Sequence, residues 1–208
     1  LTRARKILTS MFVSQTSELY QISEGVLGYS NVIDLHEPPT IIVHPRVCDI
    51  NRYKPFIEKH TGLIIVLEED HELSGTLDHF DPLKRFTKSF FSRQRLNNFL
   101  YVPTANNDPM PMWGITDYEY GITSNDKIDQ LGKTSWLKFA QLIDSLRSGE
   151  NTHFQINNYN PAIQTQPVRL AGGYWPSGCA GTTKSSLEYY GINVEPIEDL
   201  MYRPFSER

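Results

Sequence analysis

The chain is short of cysteine, of long apolar runs and of excess charge of either sign, and each shortage removes a class of protein. Two cysteines, Cys48 and Cys179, in 208 residues exclude a disulfide scaffold and any zinc site built mainly on thiolates. Two buried free thiols are expected in preference to one bridge. The longest apolar run is Leu63 to Leu67, far short of the roughly 20 residues that a membrane-spanning helix needs, so no transmembrane segment is expected. A net charge of −4 gives no global attraction to nucleic acid or anionic membrane, and any such contact must come from a local patch. There is no secretory leader pattern, internal repeat or low-complexity segment.

What is present is a globular composition. Hydrophobic residues at 39% and aromatics at 12% suffice for a core, and a chain of this length buries roughly 70% of its unfolded surface without covalent staples. The first 17 residues hold Arg3, Arg5 and Lys6, several serines and threonines, and no acid before Glu18. This composition suits a basic first helix and equally an organellar presequence. The location expected is intracellular, with a mitochondrial one left open.

Apolar periodicity divides the chain. Residues 4–22 read as a helix with Ile7, Leu8, Met11 and Phe12 inward. Thr40 to His44, ended by Pro45, reads as a buried strand, residues 50–61 as a helix with Pro55 near its first turn, and Leu63 to Leu67 as the clearest strand. Asp81-Pro82 starts a helix running to about Leu96, with Leu83, Phe86, Phe90 and Phe91 inward. Asn98 to Val102 is then a third strand, and residues 115–122 a weaker fourth. Thr134 caps the best amphipathic helix, with Trp136, Phe139, Ala140, Ile143 and Leu146 on one face and Gly149 as terminator. Beyond it the prolines and glycines of residues 157–178 predict an irregular arm, with a short helix from about Thr183 to Tyr190.

Strand, helix, strand, helix, strand predicts an α/β fold: a mostly parallel sheet with covering helices. The expected division is an N-terminal helical extension over 1–39, an α/β core over 40–149, and a Pro/Gly-rich C-terminal arm over 150–208 that adds little to the stability of the core.

Three segments carry candidate chemistry. Glu69, Asp70, His71, Asp78, His79 and Asp81 follow the second strand, where open α/β sheets place ligands, and carboxylates with imidazoles suit Mg²⁺, Mn²⁺ or Zn²⁺. Their spacing fits no metal signature, so a solvated acidic loop with splayed side chains is expected. Lys84, Arg85, Lys88, Arg93 and Arg95 lie on the helix over 82–96. They could receive phosphate or an acidic protein partner, with phenylalanines between them at core spacing. The segment from Gly178 to Ser185 fits neither a phosphate loop, because Thr183 stands where a glycine is needed, nor a dithiol redox helix, because Thr182 stands where the second cysteine is needed. Cys179 opening a helix is expected to be inert. A pairing with His153 or His79 is the arrangement that would make it a nucleophile. His36, His44 and His60 read as isolated residues. Trp113 and Trp175, set in irregular loops, are candidate partner anchors.

The sequence thus favours a non-catalytic accessory or structural subunit of a larger protein assembly, with no cofactor and with protein partners. The alternative is a metal-dependent hydrolase or nuclease using the cluster at 69–81, and the third reading is a nucleic-acid-binding module using the helix over 82–96.

Overall fold

The computed structural model describes residues 20–23, 26–28, 31–45, 50–69, 98–104, 110–111, 125–151 and 153–203. Within them the three apolar runs form adjacent strands, as their β-branched and aromatic content dictates. They are β4 (Thr40–Val43), β5 (Ile64–Glu69) and β6 (Phe99–Thr104). β5 pairs in parallel with both neighbours, Ile41 opposite Ile65 and Ile65 opposite Leu100. Near-continuous apolar strands of this kind are what a sheet covered on both faces requires.

The other strands are β1 (Tyr20–Ser23), β2 (Val26–Gly28), β3 (Val32–Asp34), β7 (Gln155–Asn157), β8 (Val168–Gly172) and β9 (Val194–Pro196). Seven of the nine strands among the described residues form one sheet in the order β1-β2-β6-β5-β4-β8-β9, and β3 pairs with β7 in a separate two-stranded sheet. β1 and β2 are antiparallel to their neighbours, whereas the five strands from β6 to β9 run parallel. The fold is therefore α/β with a mostly parallel sheet. From β4 the chain moves outward to β5 and β6, then returns to the other side of β4 for β8 and β9. The order reverses between β4 and β8.

Three α-helices are described: α1 (Lys54–Lys59), α2 (Asn125–Ser148) and α3 (Cys179–Tyr189). A 3-10 turn over Ile50–Tyr53 leads into α1, with Pro55 in its first turn where a missing N–H costs nothing. The core under α2 and α3 takes Ile41 and Val43 from β4, Leu63, Ile65 and Leu67 from β5 and the run before it, and Leu100 and Val102 from β6. Val168 and Leu170 of β8 join them, against Phe139, Ile143 and Leu146 of α2 and Ala180 and Leu187 of α3. The alternate residues Ile42, Ile64, Val66, Phe99 and Tyr101 are buried outside that cluster, as are Tyr53 and Ile57 beside and within α1. A strand's period of two separates the two faces in this way.

Four expectations need correction. Residues 155–203 are not an appended arm, because β8 pairs with β4 near the middle of the sheet and β9 pairs with β8. Val168, Leu170 and Ala171 are fully buried; a strand this short between Pro167 and two glycines carries too little pattern to stand out. Thr134 does not cap α2, which already runs from Asn125. Its hydroxyl donates to the Gln130 carbonyl one turn back, at 3.0 Å, a local bond that a mid-helix threonine commonly makes. The apolar face of α2 and its stop at Gly149 (φ 76°) are as expected. Finally, residues 20–22, placed at the end of the first helix, belong to β1, and α3 begins four residues before Thr183. The expected helices over 4–19 and 82–96 and the strand over 115–122 lie outside the described residues.

Candidate functional site

In an open parallel sheet the loops and helix N-termini converge at the carboxyl ends of the strands, and a crevice opens where the strand order reverses. Here that point lies beyond Val43 of β4 and Gly172 of β8, which pair directly. Three described residues at or beside the strand ends of this edge are polar and buried. His44 comes immediately after β4, Glu68 lies near the end of β5 and Thr104 ends β6, with relative exposures of 6%, 0% and 0%. Burying polar groups in a sheet interior is unfavourable unless other groups satisfy them, and His44 and Thr104 meet that requirement through each other.

The backbone here is tightly constrained. Gly172 has φ 76°, and a Cβ on it would fall 2.4 Å from the Val43 carbonyl oxygen and 3.1 Å from the Tyr53 hydroxyl. Gly173 has φ 64°, and its Cβ would fall 2.8 Å from the sulfur of Cys179. Two glycines thus let β8 close against β4 on one side and against the start of α3 on the other. The loop after them crosses a cis Trp175–Pro176 bond. It then lies so near α3 that a Cβ on Gly181 would overlap the Pro176 carbonyl.

Cys179 is the first residue of α3, and Gly178 before it offers no capping side chain. The thiol instead accepts from the preceding loop: the Tyr174 N–H points at Sγ from 3.2 Å. Burial raises the Cys179 pKa above the ordinary thiol value. The N–H groups of Tyr174, Ala180 and Cys179 itself favour the thiolate, and the negative charge of Glu68 opposes it. Glu68 therefore lies within electrostatic reach of the sulfur. The thiol is free and, at rest, protonated at neutral pH.

His44 adopts φ 42°, a left-handed conformation uncommon outside glycine. Its N–H donates to the Leu67 carbonyl at 2.8 Å, and its Nε2 lies 3.1 Å from the Thr104 hydroxyl. That contact spans β5.

The opposite, amino edge holds a second polar group. The Glu37 carboxylate accepts from the Thr61 hydroxyl and sits 3.5 Å from His60 Nδ1, 3.6 Å from Arg169 and 3.8 Å from His36. His60 stacks on Phe56 at 4.9 Å and is buried, and burial lowers its pKa to about 4 against the opposing influence of Glu37. Asn98 donates to the Asp34 and Thr61 carbonyls, each at 3.1 Å. These bonds tie the β3–β4 connection to the entry of β5 and β6, and that is their role.

Of the residues singled out in the sequence, Glu69 is the last residue of β5. Asp70, His71, Asp78, His79, Asp81, Lys84, Arg85, Lys88, Arg93, Arg95, Trp113 and Cys48 lie outside the described residues. Among the described residues no group of three His, Cys, Asp or Glu is placed to hold a metal. Trp175 is half-buried against the core, with its N–H on the Tyr202 carbonyl at 2.9 Å. His153 is exposed in the turn between α2 and β7. The sequence reading set His44 aside as isolated, whereas it bonds Thr104, a residue that reading did not single out. The available signal was their position one step past, or at the end of, an apolar strand. Comparison with known protein families, with curated proteins and with solved structures gives no match to this chain.

Proposed function

We propose that the protein is an enzyme acting on a small molecule at the carboxyl edge between β4 and β8, with Cys179 as its nucleophile. The observation that carries this reading is the setting of the sulfur. It stands at the N-terminus of α3 beside the reversal point of the sheet, where burial raises its pKa and backbone N–H groups work against that rise. The positive end of the helix dipole acts in the same sense. His44, Glu68 and Thr104 supply buried polar groups at the same edge.

The chemistry suited to this arrangement is attack on an electrophilic carbonyl carbon, as in an ester or amide. The sulfur lone pair forms the C–S bond, the leaving group departs with its bonding pair and a proton, and water then cleaves the thioester and restores the thiol. An activated ester, p-nitrophenyl acetate, tests it without knowledge of the natural substrate. Nitrophenolate release should begin with a burst equal to one per chain. Cys179→Ala should abolish the burst and Cys48→Ser should keep it. Release unchanged in Cys179→Ala would remove the proposal.

The accessory-subunit reading stands second, favoured by the exposure of Tyr189 at 81% and Leu137 at 42% on α3 and α2. It no longer draws support from an arm in need of cover. Its test is the native size of the protein as isolated from its source. A mass well above that of one chain, reduced by Leu137→Ser with Tyr189→Ser, favours it, and a monomer removes it.

A further inference from the structure

Resting on the reading of Cys179 as the reactive group, we infer that Tyr202 is a positioning residue for it, holding the Tyr174 N–H against the sulfur through the peptide between Gly173 and Tyr174. That peptide is trans, so its C=O and its N–H point in opposite directions. The Gly173 C=O accepts from the Tyr202 N–H at 2.9 Å, and the Tyr174 N–H points at Sγ from 3.2 Å. Tyr202 and Cys179 thus occupy the two ends of one rigid dipole.

Both ends are held in place. The Tyr202 carbonyl also accepts from the Trp175 N–H at 2.9 Å, so Tyr202 pairs with residues 173–175 as a neighbouring parallel strand would. Its ring meets the Tyr174 ring edge to face at 4.9 Å. The segment that leads to it is anchored in turn. The Ile197 N–H donates to the Leu170 carbonyl of β8, a 3-10 turn follows over Glu198–Leu200, and Leu200 and Met201 are buried. Arg52, in the turn before α1, donates to the Asp199 carbonyl at 2.9 Å. On the sulfur's side the fit is just as close. A Cβ on Gly173 would fall 2.8 Å from Sγ, and one on Gly178 would fall 2.8 Å from the Cβ of Tyr174.

A donor aimed at the sulfur favours the thiolate, and hydrogen bonds in series polarise one another. Burial raises the Cys179 pKa, and the Tyr174 N–H is the largest influence against that rise. Its aim at the sulfur is fixed by what holds the other end of the same peptide. Among the described residues the charge that acts on the sulfur is that of Glu68 on β5, and it opposes the thiolate. The other titratable side chains at this edge are His44, which bonds Thr104, and the phenols of Tyr53, Tyr174 and Tyr202. Tyr202 works on the thiol through the peptide and takes no part in the bond changes.

The test is the pH dependence of alkylation of Cys179 by iodoacetamide, in a Cys48→Ser background so that one thiol reports. Exchanging Tyr202 for its α-hydroxy analogue keeps the ring and the carbonyl but puts an ester oxygen where the donor N–H was. The thiol inflection should move to higher pH, and the rate at pH 7 should fall by about threefold or more. Tyr202→Phe keeps the N–H and should match the parent. The same exchange at Tyr174 deletes the N–H at the sulfur and should lower the rate by about tenfold. With both exchanges the loss should equal that at Tyr174 alone, because Tyr202 acts through that N–H. Tyr202→Pro removes the same donor by ordinary mutagenesis and should shift the inflection the same way; should it fail to fold, the ester exchange still decides. An inflection that stays or moves down on exchange at Tyr202, or a full additional loss in the double exchange, overturns the assignment. If ester turnover still depends on Cys179 in that event, only the role of Tyr202 is wrong. If the profile shifts as expected while Cys179 is dispensable for turnover, the role of Tyr202 stands and the functional reading falls.

Discussion

Replacing Gly172 with alanine probes the close approach of β8 to β4 on which the carboxyl edge is built, and Gly191 supplies the control. Both glycines are left-handed, with φ 76° and 83°, so alanine pays a similar conformational cost at each, about 1–2 kcal/mol. Their surroundings differ. A Cβ at Gly191 meets nothing within 4 Å, whereas one at Gly172 would stand 2.4 Å from the Val43 carbonyl oxygen. That oxygen belongs to backbone in the middle of the sheet and cannot rotate away. Overpacking in a rigid interior costs roughly 1–3 kcal/mol more. Gly191→Ala should therefore lose about 1–2 kcal/mol, and Gly172→Ala about 2–5 kcal/mol. Urea unfolding followed by far-ultraviolet circular dichroism gives both values. Equal losses would show that β8 does not close on β4 as described, and the site built on that contact would lose its geometry.

Removing residues 150–208 takes away β8 and the buried side chains of Ile163, Val168, Leu170, Leu187, Ile192 and Val194. At about 1.5–3 kcal/mol each, their combined loss is as large as the whole stability of a typical domain, about 5–15 kcal/mol. The truncated chain should show no cooperative urea transition, and a sigmoidal one would contradict the placement of β8. Stability should also fall on acidification through His60. Its folded pKa of about 4 lies below the unfolded value of 6.5, so the unfolded chain binds the proton first. The contribution is complete above about pH 6.5, is lost as pH falls toward 4, and amounts to about 3 kcal/mol at most. His60→Gln should flatten the dependence of urea midpoint on pH across that window, and an unchanged slope would show that His60 does not supply it.

How much of this was legible in the sequence depends on how far each element carries its own pattern. β4, β5 and β6 are runs of Ile, Leu, Val and Tyr, and the apolar face of α2 repeats over three turns, so their local composition declares them. β8 does not, because Val168-Arg169-Leu170-Ala171 is brief, interrupted by a charge, and bounded by residues that elsewhere mark loops. Its strand character comes from pairing with β4, a contact of more than 120 residues in separation. The site follows the same logic. Cys179 was visible as a thiol at the head of a helix; of the partners weighed for it, His153 is exposed in the turn after α2 and His79 lies outside the described residues. His44 and Thr104 become neighbours only once β4, β5 and β6 are known to lie side by side and parallel. The left-handed turn at His44 has no signature beyond the residue type itself.

The central claim is that small-molecule chemistry takes place on Cys179 at the junction of β4 and β8. Peptide mapping by mass spectrometry after brief exposure to p-nitrophenyl acetate addresses it most directly. The account predicts one acetyl group per chain, carried by the peptide that contains Cys179 and lost again on standing in water. Acetylation confined to Cys48 or to lysines, or none at all in the folded protein, would contradict it.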